Sequence, residues 1–305
     1  MRKWVEHMEQ KKISVIHAPF GLGSSRSGTE LGPESMRVAG LLRQIKALGY
    51  DVTGEFTVET PGAGAASTSK MKHEAAVRGM SSRVADLVTD AARGGGFPLV
   101  LGGDQSVSIG AFAGLTRHYA NLGAICFTAY GGLLTEASSP TGDANGMPLA
   151  IALGKAGFRL SDVAEGAKLL SKDKLVLISV RHLEPEERDI IRSEGIAFFS
   201  MYDIDKHGIE KVIAQAMDIA GDGTDGVHLS ISADSLDPLE APGVGFPIPG
   251  GLSYREAHFA CELLAETGRI TSMDVAEVNP SQDDNRRTAR LAVGLVMSAL
   301  GKRII

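Results

Sequence analysis

Leu99-Val100-Leu101-Gly102-Gly103-Asp104-Gln105-Ser106 is an apolar run that stops at a glycine pair and then turns polar. A short run with no polar alternation suits a parallel strand buried on both faces. The glycines permit a tight turn, and the polar residues after it fall where an α/β sheet binds its ligands, beyond the carboxyl end of a strand. Six more runs read as strands of the same kind: Ile13–His17, Gly123–Phe127, Leu175–Val180, Ile196–Phe199, Val227–Ser232 and Ile270–Val275.

The intervening stretches read as helices. Pro33 sits just inside a helix start, and Val38, Leu41, Leu42, Ile45 and Leu48 follow with helical spacing up to Gly49. Ser253 and Glu256 make a capping box ahead of Ala257, Ala260, Cys261 and Leu264, and Thr288 to Leu300 reads as a closing helix. Strand–helix alternation predicts a doubly wound α/β fold with helices on both faces of a mainly parallel sheet. No linker or internal repeat divides the chain, so residues 1–305 read as one domain. The small-residue stretch from Thr60 to Ser69 reads as a surface loop.

Composition narrows the function classes. The 305 residues carry 31 Lys plus Arg against 37 Asp plus Glu, a net charge of −6, and 43% are hydrophobic. This mild acidity argues against nucleic acid as a partner, and no apolar run reaches the ~18–20 residues of a membrane span. Met1 to Lys12 lacks the apolar core of a signal peptide, which points to the cytoplasm. Cys126 and Cys261, the only cysteines, read as reduced, buried thiols. None of the eight histidines pairs with another at H-x-H or H-x-x-x-H spacing, and there is no Walker loop, complete dinucleotide fingerprint or nucleophile elbow.

Four strand-end loops hold the unusual residues: Gly102 to Ser106; Thr128-Ala129-Tyr130-Gly131-Gly132 running on to Thr141-Gly142-Asp143-Ala144-Asn145-Gly146; Ser230 to Pro238 with Pro249 to Glu256; and Met273 to Pro280. Together with Ala18-Pro19-Phe20, Gly32-Pro33 and Val180-Arg181, they resemble the arginase/ureohydrolase family over nearly the whole chain. The spacing across the second loop is closest to its arginase branch.

The resemblance implies a three-layer α/β/α fold, a homotrimer or hexamer, and two Mn(II) ions that activate a hydroxide for attack on a guanidinium carbon. Carried over position by position, the metal ligands fall on Gln105, Thr128, Tyr130, Gly132, Ser232 and Asp234, of which Asp234 alone keeps the family's residue. The substrate and proton-shuttle positions fall on Leu134, Thr141, Asn145, Glu184 and Glu277, with Glu277 matching the glutamate that receives the guanidinium. Two divalent cations need more negative charge than one aspartate offers. The expectation from these positions is a homotrimeric, arginase-like protein that binds no manganese, hydrolyses no arginine and has no catalytic residues. Its role would be to bind a small amino-acid-like ligand, to regulate, or to partner another subunit. The alternatives are a metal-free enzyme of changed chemistry in the same cleft and a weakly active ureohydrolase with displaced ligands.

Overall fold

The computed structural model describes residues 11–63 and 69–303. One eight-stranded sheet runs through them: β1 (Lys12–Ala18), β2 (Asp51–Thr57), β3 (Phe97–Gly102), β4 (Leu122–Phe127), β5 (Leu175–Val180), β6 (Ala197–Ser200), β7 (Gly226–Ser232) and β8 (Ile270–Ala276). Their order is β2-β1-β3-β8-β7-β4-β5-β6, and every neighbouring pair is parallel.

Alternate residues of each strand feed two cores. Ile13, Val15, Leu99, Leu101, Ile125 and Phe127 face one core. It is closed by α1 (Gly32–Val38), α2 (Leu41–Ala47), α8 (Met201–His207), α9 (Ile209–Gly221), α10 (Tyr254–Glu266) and α11 (Arg287–Ala299). Ile16, Ala18, Val100, Ala124 and Cys126 face the other. There the cover is α3 (Glu74–Arg93), α4 (Val107–His118), α5 (Pro148–Ala152), α6 (Leu160–Val163) and α7 (Pro185–Glu194). Apolar residues on both faces of the sheet thus produce the three-layer α/β/α architecture.

Two sequence readings need correction. β2 is an additional strand: at the sheet edge it exposes most of its residues, so Asp51-Val52-Thr53-Gly54-Glu55-Phe56-Thr57 carries no apolar run to betray it. The helix expected from Pro33 to Leu48 is two helices, broken at Gly40, whose φ of 93° is open to glycine at little cost. Of the loop read from Thr60 to Ser69, residues 64–68 lie outside the described residues, as do residues 1–10 of the amino-terminal reading.

The capping box at α10 forms as read: Ser253 N and Oγ donate to Glu256 Oε2, and Glu256 N donates back to Ser253 Oγ. Cys126 and Cys261 are both free and buried, and burial pushes both thiols up, Cys261 to about 12. Among the described residues no helix is long and apolar enough to cross a membrane.

Candidate active site

The carboxyl ends of β3, β4, β7 and β8 are neighbours in the sheet, so the loops that leave them converge. Glu277 follows β8 directly, and its N–H donates to Gly103 O at 2.8 Å, across to the loop after β3. Its φ of 64° is unusual for a residue with a side chain and costs about 1–3 kcal/mol that the surroundings must offset. Part of the offset is visible: Glu277 Oε1 accepts hydrogen bonds from Gln105 N at 2.8 Å and Asn145 Nδ2 at 3.3 Å. Glu277 is 3% exposed, and burial, with repulsion from Asp104 and Asp234, pushes its carboxyl up to about 8.

Asp104 is fully buried and accepts from Gly23 N, Ser106 N and Ser106 Oγ. Its carboxyl stands at about 6 because burial outweighs those three donors. Asp234 accepts from Ala129 N at 3.0 Å and is also raised by burial, against the Ala129 amide, the Ser232 and Thr128 hydroxyls and Arg181. Three buried acids therefore share one neighbourhood, and each would ionise more readily with a cation beside it.

The other predicted positions divide. Gln105 is held from behind: Nε2 donates to Ser108 Oγ at 2.8 Å and Ser230 Oγ at 3.2 Å. Ser230 Oγ in turn donates to Asp274 Oδ1, and His228 and Ser272 complete that buried chain. Gln105 Oε1 is buried with no hydrogen-bond partner. A cavity of about 20 Å³ is lined by Gln105, Ser108, Thr128, Gly132 and Ser230, among others.

Thr128 Oγ1 accepts from Tyr130 N, and Tyr130 Oη reaches over to donate to Phe246 O at 3.0 Å. Gly132, at φ 64°, turns its carbonyl to accept from the first turn of α5, at Leu149 N and Ala150 N. Two positions stand apart. Thr141 is exposed, its hydroxyl accepting from Asp143 N in a local turn. Glu184 begins α7 with its side chain 43% exposed, 3.8 Å from His182. Leu134 packs toward Gly146.

The sequence reading passed over the role of Arg181. Its guanidinium donates to the carbonyls of Asp234, Leu236 and Ile248 at 2.7, 3.2 and 2.7 Å, pinning the loop after β7 to residues near 248. Nothing in an isolated Val180-Arg181 pair signals a partner set made mostly of distant carbonyls.

The arginase family description matches residues 11–301. The chain belongs to the arginase family. It is 39% identical over 297 residues to the arginase of Brevibacillus brevis, covering 97% of this chain and 99% of that one. Identity to the arginase of Bacillus subtilis (strain 168) is 40% over 301 residues, again covering 97% and 99%. Among solved structures, Bacillus caldovelox arginase superposes with a TM-score of 0.92 at 39% identity, covering 97% of this chain and all of that one. Bacillus cereus arginase gives 0.91 at 42%, with the same coverage.

These likenesses overturn two expectations. The reading as a protein without catalysis yields to near-full-length similarity to arginases, which points to an enzyme. The expected lack of a cofactor yields with it, since membership of the arginase family points to that family's manganese. Agreement along nearly the whole chain outweighs substitutions at a few positions. The donors around the cleft still do not fit a binuclear manganese pair. Among the described residues no group of three or more His, Cys, Asp or Glu could hold a metal, and the orphaned Gln105 Oε1 is a single neutral oxygen. A cavity of about 20 Å³ has room for about one water.

The raised acids have a consequence for stability. Folding lifts the Glu277 carboxyl from its ordinary 4.5 to about 8, so the folded chain binds more protons than the unfolded chain between those values. Stability is then lost as pH rises through the folded value. In chelator-treated protein the melting temperature is expected to fall from about pH 5 to about pH 8 and to level off above, and Glu277→Gln is expected to flatten that fall. A melting temperature in wild type that holds or rises over that window would contradict the assignment.

Proposed function

We propose that the chain is an arginase-family hydrolase whose cleft receives the guanidinium of an arginine-like amino acid at Glu277. One observation carries the reading: a buried carboxyl with Oε1 already occupied by Gln105 N and Asn145 Nδ2, raised by burial and by the neighbouring Asp104 and Asp234. Oε2 lies against Gly245, where a Cβ would come within 3.6 Å of it. A guanidinium is planar, permanently charged and rich in forked donors, which suits such a carboxylate better than an ammonium does.

The hydrolysis that the relatives' name implies adds water to the guanidinium carbon and breaks its bond to the side-chain nitrogen. It releases urea and the shortened amine. This chain's residues would hold the substrate for that step. Glu277 releases its proton to solvent as the cation arrives, and its carboxylate stabilises the positive charge. Asn145 and the Gln105 amide fix the carboxylate plane, and Tyr130 and Arg181 keep the loops over the cleft in register. In this reading Gln105, Thr128, Tyr130, Gly132, Ser232 and Asp234 form the floor, and Leu134, Thr141 and Glu184 belong to the rim segments. The same reading makes the protein a single-domain cytoplasmic homotrimer, for which light scattering is expected to give about three chain masses. A single-chain mass would contradict that assembly.

Calorimetry with arginine and a urea-release assay, each with and without added manganese, test the function. Arginine is expected to bind, urea to appear above a buffer control, and Glu277→Gln to lower affinity at least tenfold, as the loss of a charge-assisted contact should. No arginine binding and no urea under either condition would contradict the proposal.

A further inference from the structure

A histidine stands where two helices of one layer touch. His258, on α10, is 7% exposed, and its ring lies against Gly294 of α11. A Cβ at Gly294 would come within 2.8 Å of Cε1 and 3.1 Å of Nε2, so the imidazole fills the space that the glycine leaves. One turn further along α11, Ser298 Oγ is 2.9 Å from Nδ1. Tyr254, one turn earlier on α10, stacks on the ring with centroids 4.3 Å apart and is itself 48% exposed.

Only one ring nitrogen is satisfied. Nε2 is buried, and among the described residues it has no hydrogen-bond partner. Either neutral tautomer can use Ser298, as donor or as acceptor, and leaves one uncharged atom unpaired. The imidazolium would instead bury a charged N–H with nothing to accept it, at far greater cost. The charged groups that face the ring do not offset this. Glu262 and Arg255 lie on α10 itself and Lys302 follows α11, one anion against two cations. Burial is the leading cause that holds the imidazole below its ordinary 6.5.

We propose that His258 is an acid-sensitive latch between α10 and α11: neutral, it closes the contact, and protonated, it leaves the contact to reach water. Half-exposed Tyr254 is the movable wall on its way out. Opening is felt beyond the helix pair, because the first turn of α11 is tied to the loops of the cleft. Thr288 Oγ1 accepts from Gly243 N at 2.8 Å, and Gly243 O accepts from Asn279 N at 2.7 Å, two residues beyond Glu277. The latch stands on packing alone, whatever ligand Glu277 receives. A base held neutral by the closed contact binds its proton more readily once the contact opens. Below 6.5 the open form therefore gains on the closed one by up to about tenfold per pH unit, until the closed form protonates too. On global stability the Glu277 carboxyl acts with the opposite sign, and His17, also held low by burial, with the same sign. A helix-resolved readout separates them.

Hydrogen exchange of the full chain, read by mass spectrometry and corrected for its intrinsic pH dependence, compares α11 with α3 in the opposite layer. In wild type the protection of α11 relative to α3 is expected to drop about tenfold between about pH 7.5 and about pH 5.5, the most that one proton gives below 6.5. His258→Leu and His258→Gln, neither of which titrates there, are expected to show no such drop. Wild type alone gives a second reading: the Cε1 NMR signal of His258 is expected to titrate below 6.5. Equal relative protection of α11 at the two pH values, or a drop that either variant retains, would overturn the latch. So would a His258 signal that titrates at 6.5 or above.

Discussion

Two reciprocal hydrogen bonds between the ends of β3 and β8 set the geometry of the cleft. Glu277 N donates to Gly103 O, and Gln105 N donates back to Glu277 Oε1. The first places the residue after β8 in a left-handed backbone, and the second fixes its carboxylate in the direction that backbone dictates. Strain and burial are both concentrated on this residue, as is common where a site is organised before its ligand arrives. The surrounding structure depends on it: Asn145 brings in the long loop after β4, and Asp104 and Asp234 keep the local charge negative. A cation is the kind of ligand that relieves such a site.

The other contacts keep several loops attached to that centre. Arg181 joins the loop after β7 to the carbonyl of Ile248, and Tyr130 joins the loop after β4 to the carbonyl of Phe246. Asp143 and Asn279 hold the amino-terminal loop at Ser25 and Ser27. Most of these bonds end on backbone atoms. Such bonds position a loop whatever its side chains are, so the cleft can retain its shape while the residues lining it differ.

This explains what was legible in the sequence. Buried strands such as Leu175–Val180 declared themselves because both faces are apolar, and the loops at their carboxyl ends followed from the topology. β2 did not, since an exposed edge strand needs no apolar pattern, and Gly40 breaks a helix whose hydrophobic spacing runs straight through it. Within the site, Gln105, Asn145 and Glu277 were found by position and are in direct contact. Arg181 escaped because a guanidinium among mostly distant carbonyls leaves no local motif. The functional reading erred for a related reason. A handful of positions determines a coordination set, whereas the similarity to arginases runs along 97% of the chain.

The most direct measurement is a crystal structure of the full chain soaked with arginine and Mn(II). The guanidinium is expected against Glu277 Oε2, with Oε1 still bound by Gln105 N and Asn145 Nδ2. Arginine absent from the cleft, or bound with its guanidinium away from Glu277, would contradict the assignment of that carboxylate as the substrate's receptor.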